Sequence, residues 1–474
     1  MARYEKVGDD YMEDRQLRKG AAGWVLLAGL GVAYVISGDY AGWNFGLAEG
    51  GWGGLLIATI LMGIMYTAMI FSLAELSSSM PTAGGGYTFA RRAMGPWGGF
   101  LTGTAILIEY AVAPAAIVVF IGAYVESLDL FGLEAGWPVY LAFYVVFVGV
   151  HLLGVGEALK VIFAITLVAV VGLVVFVIGM IPEFDASNLT NIAPDESKSG
   201  ASDFLPFGYA GILAAFVYGI WFFLAIEGVP LAAEETENPS RDMPKGMIAA
   251  MLILLVFAAL MLTLAPGAGG ADTVAESGNP LVDAADGAGS SGVADVVNYI
   301  GLAGLVASFF SIIFAYSRQL FALSRAGYLP RQLSVTSGRR VPAVALVLPG
   351  LIGFILAAVT EDGATMINIA VFGATVSYVL MMLSHIILRS REPDLERPYR
   401  TPGGTFTSGV ALVLALAAVI ATFFVDEKAA AITLGVYLLA ALYFGLYSRH
   451  HLVGSAPEEE FAAIQQAESE LAGS

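Results

Sequence analysis

What most restricts this chain is a recurrence of long apolar blocks. Each is close to the roughly 20 residues an α-helix needs to cross the hydrocarbon core. They run from Trp24 to Tyr447, separated by short polar stretches. Segments such as Leu55–Phe71 and Val161–Met180 are apolar without alternation, so they do not read as strands of a membrane β-barrel. Twelve spans are predicted near 24–48, 52–78, 98–125, 137–155, 159–182, 208–231, 246–266, 295–317, 341–359, 364–388, 408–425 and 429–447. Of the 474 residues 58% are hydrophobic and only 13% charged, against about a quarter charged in soluble proteins. No large water-soluble domain fits in that remainder. Residues 1–20 are charged and lack the apolar core of a cleavable signal peptide. Zero cysteines exclude disulfides and thiolate metal sites.

Charge placement gives an independent topology. Lys and Arg gather in cytoplasmic loops. With the N-terminus inside, twelve spans put Arg3 to Lys19, Arg91, Arg92, Lys160, Arg241, Lys245, Arg318 to Arg340, Arg389 to Arg400 and Arg449 on the inner side. Only Lys198 and Lys428 fall outside, leaving 20 of the 22 basic residues within. The expectation is a multi-pass protein of the cytoplasmic membrane with both termini cytoplasmic. The net charge is −18, with acids in the outer loops and the tail Glu458–Glu470. An acidic, lysine-poor surface suits a host living at high salt, where excess charge is screened. A compositional accident of the loops is the alternative.

Two spans are interrupted. In the first, Trp24–Ile36 meets Ser37-Gly38-Asp39-Tyr40-Ala41-Gly42-Trp43; in the sixth, Leu213–Phe223 runs into Leu224-Ala225-Ile226-Glu227-Gly228-Val229-Pro230. Paired broken helices in corresponding positions point to a transporter's binding site, and unwound backbone at that depth lines a cavity. The layout expected is an N-terminal segment 1–23, a first five-helix repeat 24–182, an outer loop 183–207, a second repeat 208–388, two added helices 408–447 and an acidic tail 448–474. The outer loops 183–207 and 267–294 read as solvated.

Three further stretches carry a resemblance: Pro81-Thr82-Ala83-Gly84-Gly85-Gly86-Tyr87 with Gly95-Pro96-Trp97-Gly98-Gly99, Glu234-Glu235-Thr236-Glu237-Asn238-Pro239-Ser240-Arg241, and Ser317-Arg318-Gln319-Leu320-Phe321-Ala322-Leu323-Ser324-Arg325. Over essentially its whole length the chain resembles the amino acid–polyamine–organocation transporter superfamily. Within it, the stretches Val35–Asn44, Phe71–Ser78 and Gly103–Tyr110 are most similar to ethanolamine permeases. The resemblance implies an all-α membrane fold: a 5+5 inverted repeat plus two helices, with spans one and six unwound at mid-membrane. The activity it implies is secondary transport by alternating access.

The residues allow several roles. A carboxylate at mid-membrane costs roughly 2.5–3.5 kcal/mol even on insertion scales. Asp39 stands where superfamily members offer backbone N–H groups to a substrate carboxylate. There it would repel a carboxylate and attract an ammonium; the alternative is a helix cap. Around it the expected substrate contacts are Ser37, Gly38, Tyr40, Phe223, Ala225 and Gly228. Glu227 sits in the second break, at the family's pocket glutamate. Either it exchanges a proton during transport or it holds the unwound backbone. Trp221 matches an aromatic that closes over substrate in related antiporters, and its face can hold an ammonium; ordinary packing is the plainer reading. Glu109, in span three, is a third intramembrane acid. Glu75, Glu235 and Arg241 are expected as gate or loop salt bridges. His151 and His385 read as structural groups.

Coupling is open between H+ and Na+. Many relatives carry a mid-span-five lysine in the place of a sodium ion, whereas Lys160 lies at that span's start. Glu227, Ser308 and Ser311 are the coupling candidates, the serines with the alternative of bonding their own backbone. The expected partners are a small amine or amino acid and the lipid bilayer, without cofactor, metal or nucleic acid. The favoured substrate is ethanolamine-like, the alternative an ordinary amino acid, and a transport-like membrane sensor is third. No nucleophile–base or metal spacing suggests an enzyme.

Overall fold

A computed structural model describes residues 3–5, 22–82, 84–129, 132–153, 158–339 and 341–453. Most of the N-terminal segment, the last residues of span four and the acidic tail from 454 lie outside the described residues. Ten described helices are long and apolar enough to cross a membrane, and Trp24–Val35 and Trp137–Leu153 are shorter apolar helices. The ten long helices make the chain an all-helical multi-pass membrane protein, and the two shorter ones lie in the segments expected as spans one and four. Backbone groups in hydrocarbon must be satisfied internally, which helices achieve segment by segment.

Span one divides into α1 (Trp24–Val35) and the single turn α2 (Ser37–Tyr40), after which Ala41 is extended. Span two, α3 (Phe45–Ser79), contains a kink at Gly51, whose φ of 65° suits glycine. Span three, α4 (Gly86–Ser127), is likewise kinked at Gly95 just before Pro96. Spans four and five are α5 (Trp137–Leu153) and α6 (Ala158–Met180). Span six stops as an α-helix, α7 (Gly208–Trp221), passes through Phe222–Ala225, and resumes as a 3-10 helix over Ile226–Glu235. Spans seven and eight are α8 (Pro239–Gly269) and α11 (Ser291–Arg325). Spans nine to twelve are α12 (Ala343–Thr360), α13 (Gly363–Arg391), α14 (Thr405–Val425) and α15 (Glu427–Leu446).

Between spans seven and eight the structure corrects an expectation. Residues 267–294 are no solvated loop: they form α9 (Ala271–Ala275) and α10 (Pro280–Gly287), with Val274, Leu281, Ala284 and Ala285 buried. The spacing of Leu281, Ala284 and Ala285 gives α10 one apolar face, which the Gly- and Asp-rich composition obscures. Asn44, just after the break in span one, donates to the carbonyls of Val274 and Ser277, both at 2.9 Å, and ties this cap down.

Spans six, three and ten are the most buried of the long helices, while Ile178, Val359 and Leu439 point outward. Close helix approach depends on small residues. A Cβ on Gly38 would lie 2.4 Å from the Trp221 carbonyl, and one on Gly373 would lie 2.7 Å from the Ala105 carbonyl. These two glycines bring the breaks of spans one and six together, and span ten against span three.

Candidate substrate site

Glu227 follows the largest positive φ among the described non-glycine residues. Ala225 has φ 77°, in the left-handed region, where an L-residue costs about 1–3 kcal/mol. The turn places Glu227 in the interior, and two tyrosines hold it there. Tyr110 from span three donates to Oε1 at 2.9 Å, and Tyr378 from span ten donates to Oε2 at 3.0 Å. Tyr66 from span two lies 2.9 Å from the Tyr378 hydroxyl. Gly228 makes room for this, since a Cβ there would come within 2.9 Å of the Tyr110 hydroxyl. Glu109 lies beside Glu227 and Tyr378, and neither of its oxygens has a described hydrogen-bond partner. All of these groups are fully buried. Two neighbouring carboxyls in such a medium do not both carry charge without a cation between them.

Asp39 stands apart from that cluster. It is fully buried, and Tyr40 is the described titratable side chain electrostatically linked to it. Neither carboxylate oxygen has a described hydrogen-bond partner, so it caps no helix. Its neighbours are fixed: Tyr40 donates to the Ala169 carbonyl at 2.6 Å, and Gly38 packs on the backbone of Trp221. The Trp221 indole donates to the Ala41 carbonyl at 2.9 Å, across the second discontinuity of span one. Phe223 lies on Tyr66, with centroids 5.4 Å apart. Ser37 is held by span eight: its N–H donates to Ser308 Oγ at 2.9 Å, and Ser308 in turn donates to the Ala33 carbonyl at 2.7 Å. Ser308 thus stitches the broken span to its neighbour. Ser311 donates to the Ser308 carbonyl of its own helix.

The ends of the spans expected to face the cytoplasm carry two ion-pair networks. Glu235, at the end of the 3-10 helix, accepts from Arg318 of span eight at 2.7 Å, both side chains 2% exposed. Glu234 accepts from Arg325 at 2.9 Å. The start of span one joins the same point through Ala22 N–H to the Glu235 carbonyl and Glu237 N–H to the Ala22 carbonyl. Glu75 accepts from Arg389 at 2.6 Å, Arg397 at 3.0 Å and the Thr401 N–H at 2.6 Å, with His385 at 3.3 Å. Arg241 is not brought into either network: it is 67% exposed and faces its neighbour Asp242 at 3.8 Å. His385 has further partners in Ser408 and Thr401, and His151 bonds the Phe147 carbonyl of its own helix.

Sequence reasoning missed Tyr66 and Tyr378 as site residues, along with Arg318, Arg389 and Arg397 as partners. A tyrosine in an apolar helix resembles any packing aromatic until its hydroxyl finds an acid. Arg318 did carry a signal, as a charge at the inner end of an apolar span.

An amino acid permease family model matches residues 25–459. Among similar proteins are an uncharacterized transporter of Rhizobium meliloti, 28% identical over 88% of this chain and 89% of its own. A branched-chain amino acid permease of Bacillus subtilis is 28% identical over 84% and 86%. A methylthioribose transporter of the same species is 26% identical over 78% and 79%. The family model and the branched-chain permease favour the amino acid reading over the ethanolamine one.

Proposed function

Because the chain belongs to the amino acid permease family, we propose that it is a secondary transporter carrying a small amino acid across the cytoplasmic membrane by alternating access. The observation that carries the reading is buried Glu227, held by two tyrosine hydroxyls just after the break of span six, with the buried carboxyl of Glu109 beside it. Such a pair is completed by a cation. The substrate's ammonium supplies one, and a proton replaces it when the site is empty, so the pair links binding to proton movement.

The paired breaks fit a 5+5 inverted repeat in which the outer contacts of Asn44 and Trp221 alternate with the inner Glu235–Arg318 and Glu75–Arg389 pairs. Ser308 offers a sodium-coupled variant, since the carbonyl oxygens it touches in span one are suited to a small cation.

Ethanolamine remains the second reading, on one observation: the unpartnered carboxylate of Asp39 stands in the segment that would otherwise receive a substrate carboxylate. Uptake of labelled branched-chain amino acids, alanine and ethanolamine into proteoliposomes, with and without a pH or sodium gradient, separates the cases. Amino acid uptake driven by the pH gradient supports the proposal. Uptake of ethanolamine alone transfers the function to the second reading, and uptake of neither removes both.

A further inference from the structure

A cavity of about 650 Å3 opens on the flank of the protein between spans two, seven and eleven. Its size is within the roughly 300–1,000 Å3 of small-molecule sites. One wall is a helical stripe of span two, from Leu56 through Ile60, Gly63 and Thr67 to Phe71. At 1.5 Å per residue that stripe is about 22 Å long, most of the thickness of the hydrocarbon core. The rim residues Ile60, Ile64 and Phe406 are exposed among helices whose surroundings are acyl chains. Gly63 lies over the floor formed by Leu255 and Phe223: a Cβ there would come 3.1 Å from Leu255 and 3.7 Å from Phe223. Polar groups make few demands on an occupant. Thr67 bonds the Gly63 carbonyl of its own helix, and Thr59 Oγ1 is the one lining hydroxyl on this helix without a described partner.

The innermost lining residue is Phe223, which belongs to the non-helical part of span six. From there the contacts run inward: Phe223 on Tyr66, Tyr66 to Tyr378, Tyr378 to Glu227. We infer that this groove is a binding site for one acyl chain of a bilayer phospholipid, which lies along span two and rests on Phe223. The elongated shape, the apolar walls and the opening toward hydrocarbon select a flexible chain rather than a soluble ligand. A chain seated there is in direct contact with the segment that must change shape if span six moves.

Photo-crosslinking of the full-length protein in phosphatidylglycerol vesicles, doped with a phospholipid bearing a mid-chain diazirine, tests this. Labelling is expected to concentrate on Phe223, Leu255 and the Leu56–Phe71 stripe. Ala259→Phe, which fills the groove from its exposed rim, should reduce that labelling several-fold and leave labelling at Val145 and Leu439 unchanged. Ile64→Phe fills it from the opposite rim and serves if the first variant is not recovered folded. Labelling spread evenly over all lipid-facing helices would overturn the inference, as would groove labelling that both variants leave intact.

Discussion

Replacing Glu235 by glutamine takes one charge from the pair that ties the inner half of span six to span eight. In the parent, Arg318 Nη2 lies 2.7 Å from Glu235 Oε1, and the guanidinium rests 4.4 Å over the Phe314 ring. Removing one partner of a buried ion pair costs about 3–5 kcal/mol, because the other charge is left unmatched. Glutamine keeps an acceptor, and a neutral hydrogen bond returns about 1 kcal/mol. The backbone bonds between Ala22 and the Glu235 region, at 3.0 and 3.1 Å, and the Arg325–Glu234 pair at 2.9 Å are untouched. The inner closure should therefore weaken by about 2–4 kcal/mol, a factor of roughly 30–900 in the closed-to-open equilibrium.

The parent has no cysteine, so a single reporter can be read without background. Ser37→Cys places one at the buried break of span one. In inside-out vesicles, its maleimide labelling should rise by at least an order of magnitude when Glu235→Gln is added. A labelling rate equal to that of the reporter alone would show that the pair does not hold the inner side shut, and the gate reading would fail.

Glu227→Gln should lower substrate affinity by about 10- to 150-fold, the loss of a charge-assisted hydrogen bond of roughly 1.5–3 kcal/mol. It should also flatten the pH dependence of uptake. Equilibrium binding and pH profiles of the purified variant check both effects, and a parental profile would assign the carboxyl to structure. Asp39→Asn should weaken ethanolamine binding by a similar factor if that carboxylate meets an ammonium; unchanged binding of both ethanolamine and alanine would leave Asp39 without a substrate role. Gly38→Val should not yield monodisperse protein on size-exclusion chromatography, because its Cβ would fall 2.4 Å from the Trp221 carbonyl. Reporter fusions should place both termini in the cytoplasm, as the Lys and Arg asymmetry requires.

Hydropathy alone determined that this chain must be helical and cross the membrane many times, because hydrocarbon penalises every unpaired backbone group. The same logic marked the two interruptions. Glycine with an acid in mid-span one, and glycine, an acid and a proline in mid-span six, mark the two places. Span one breaks at Ile36 and again over 41–44, either side of the turn that carries Gly38 and Asp39. Span six breaks over 222–225, just before the 3-10 helix that carries Glu227, Gly228 and Pro230. Intramembrane acids were legible for the same energetic reason, so Asp39, Glu109 and Glu227 stood out before any coordinates.

The partners of those acids were not legible. Tyr110 and Tyr378 approach Glu227 from sequence separations of 117 and 151 residues. Tertiary structure also divided the acids, setting Glu109 beside Glu227 and leaving Asp39 on its own. It gave Glu235 to Arg318 while Arg241 stayed at the surface. And it turned an apparent outer loop into α9 and α10. One-dimensional patterns carry the cost of burying a group, which depends on the group and its depth. The compensation for that cost depends on which helices pack together, and only the folded chain decides it.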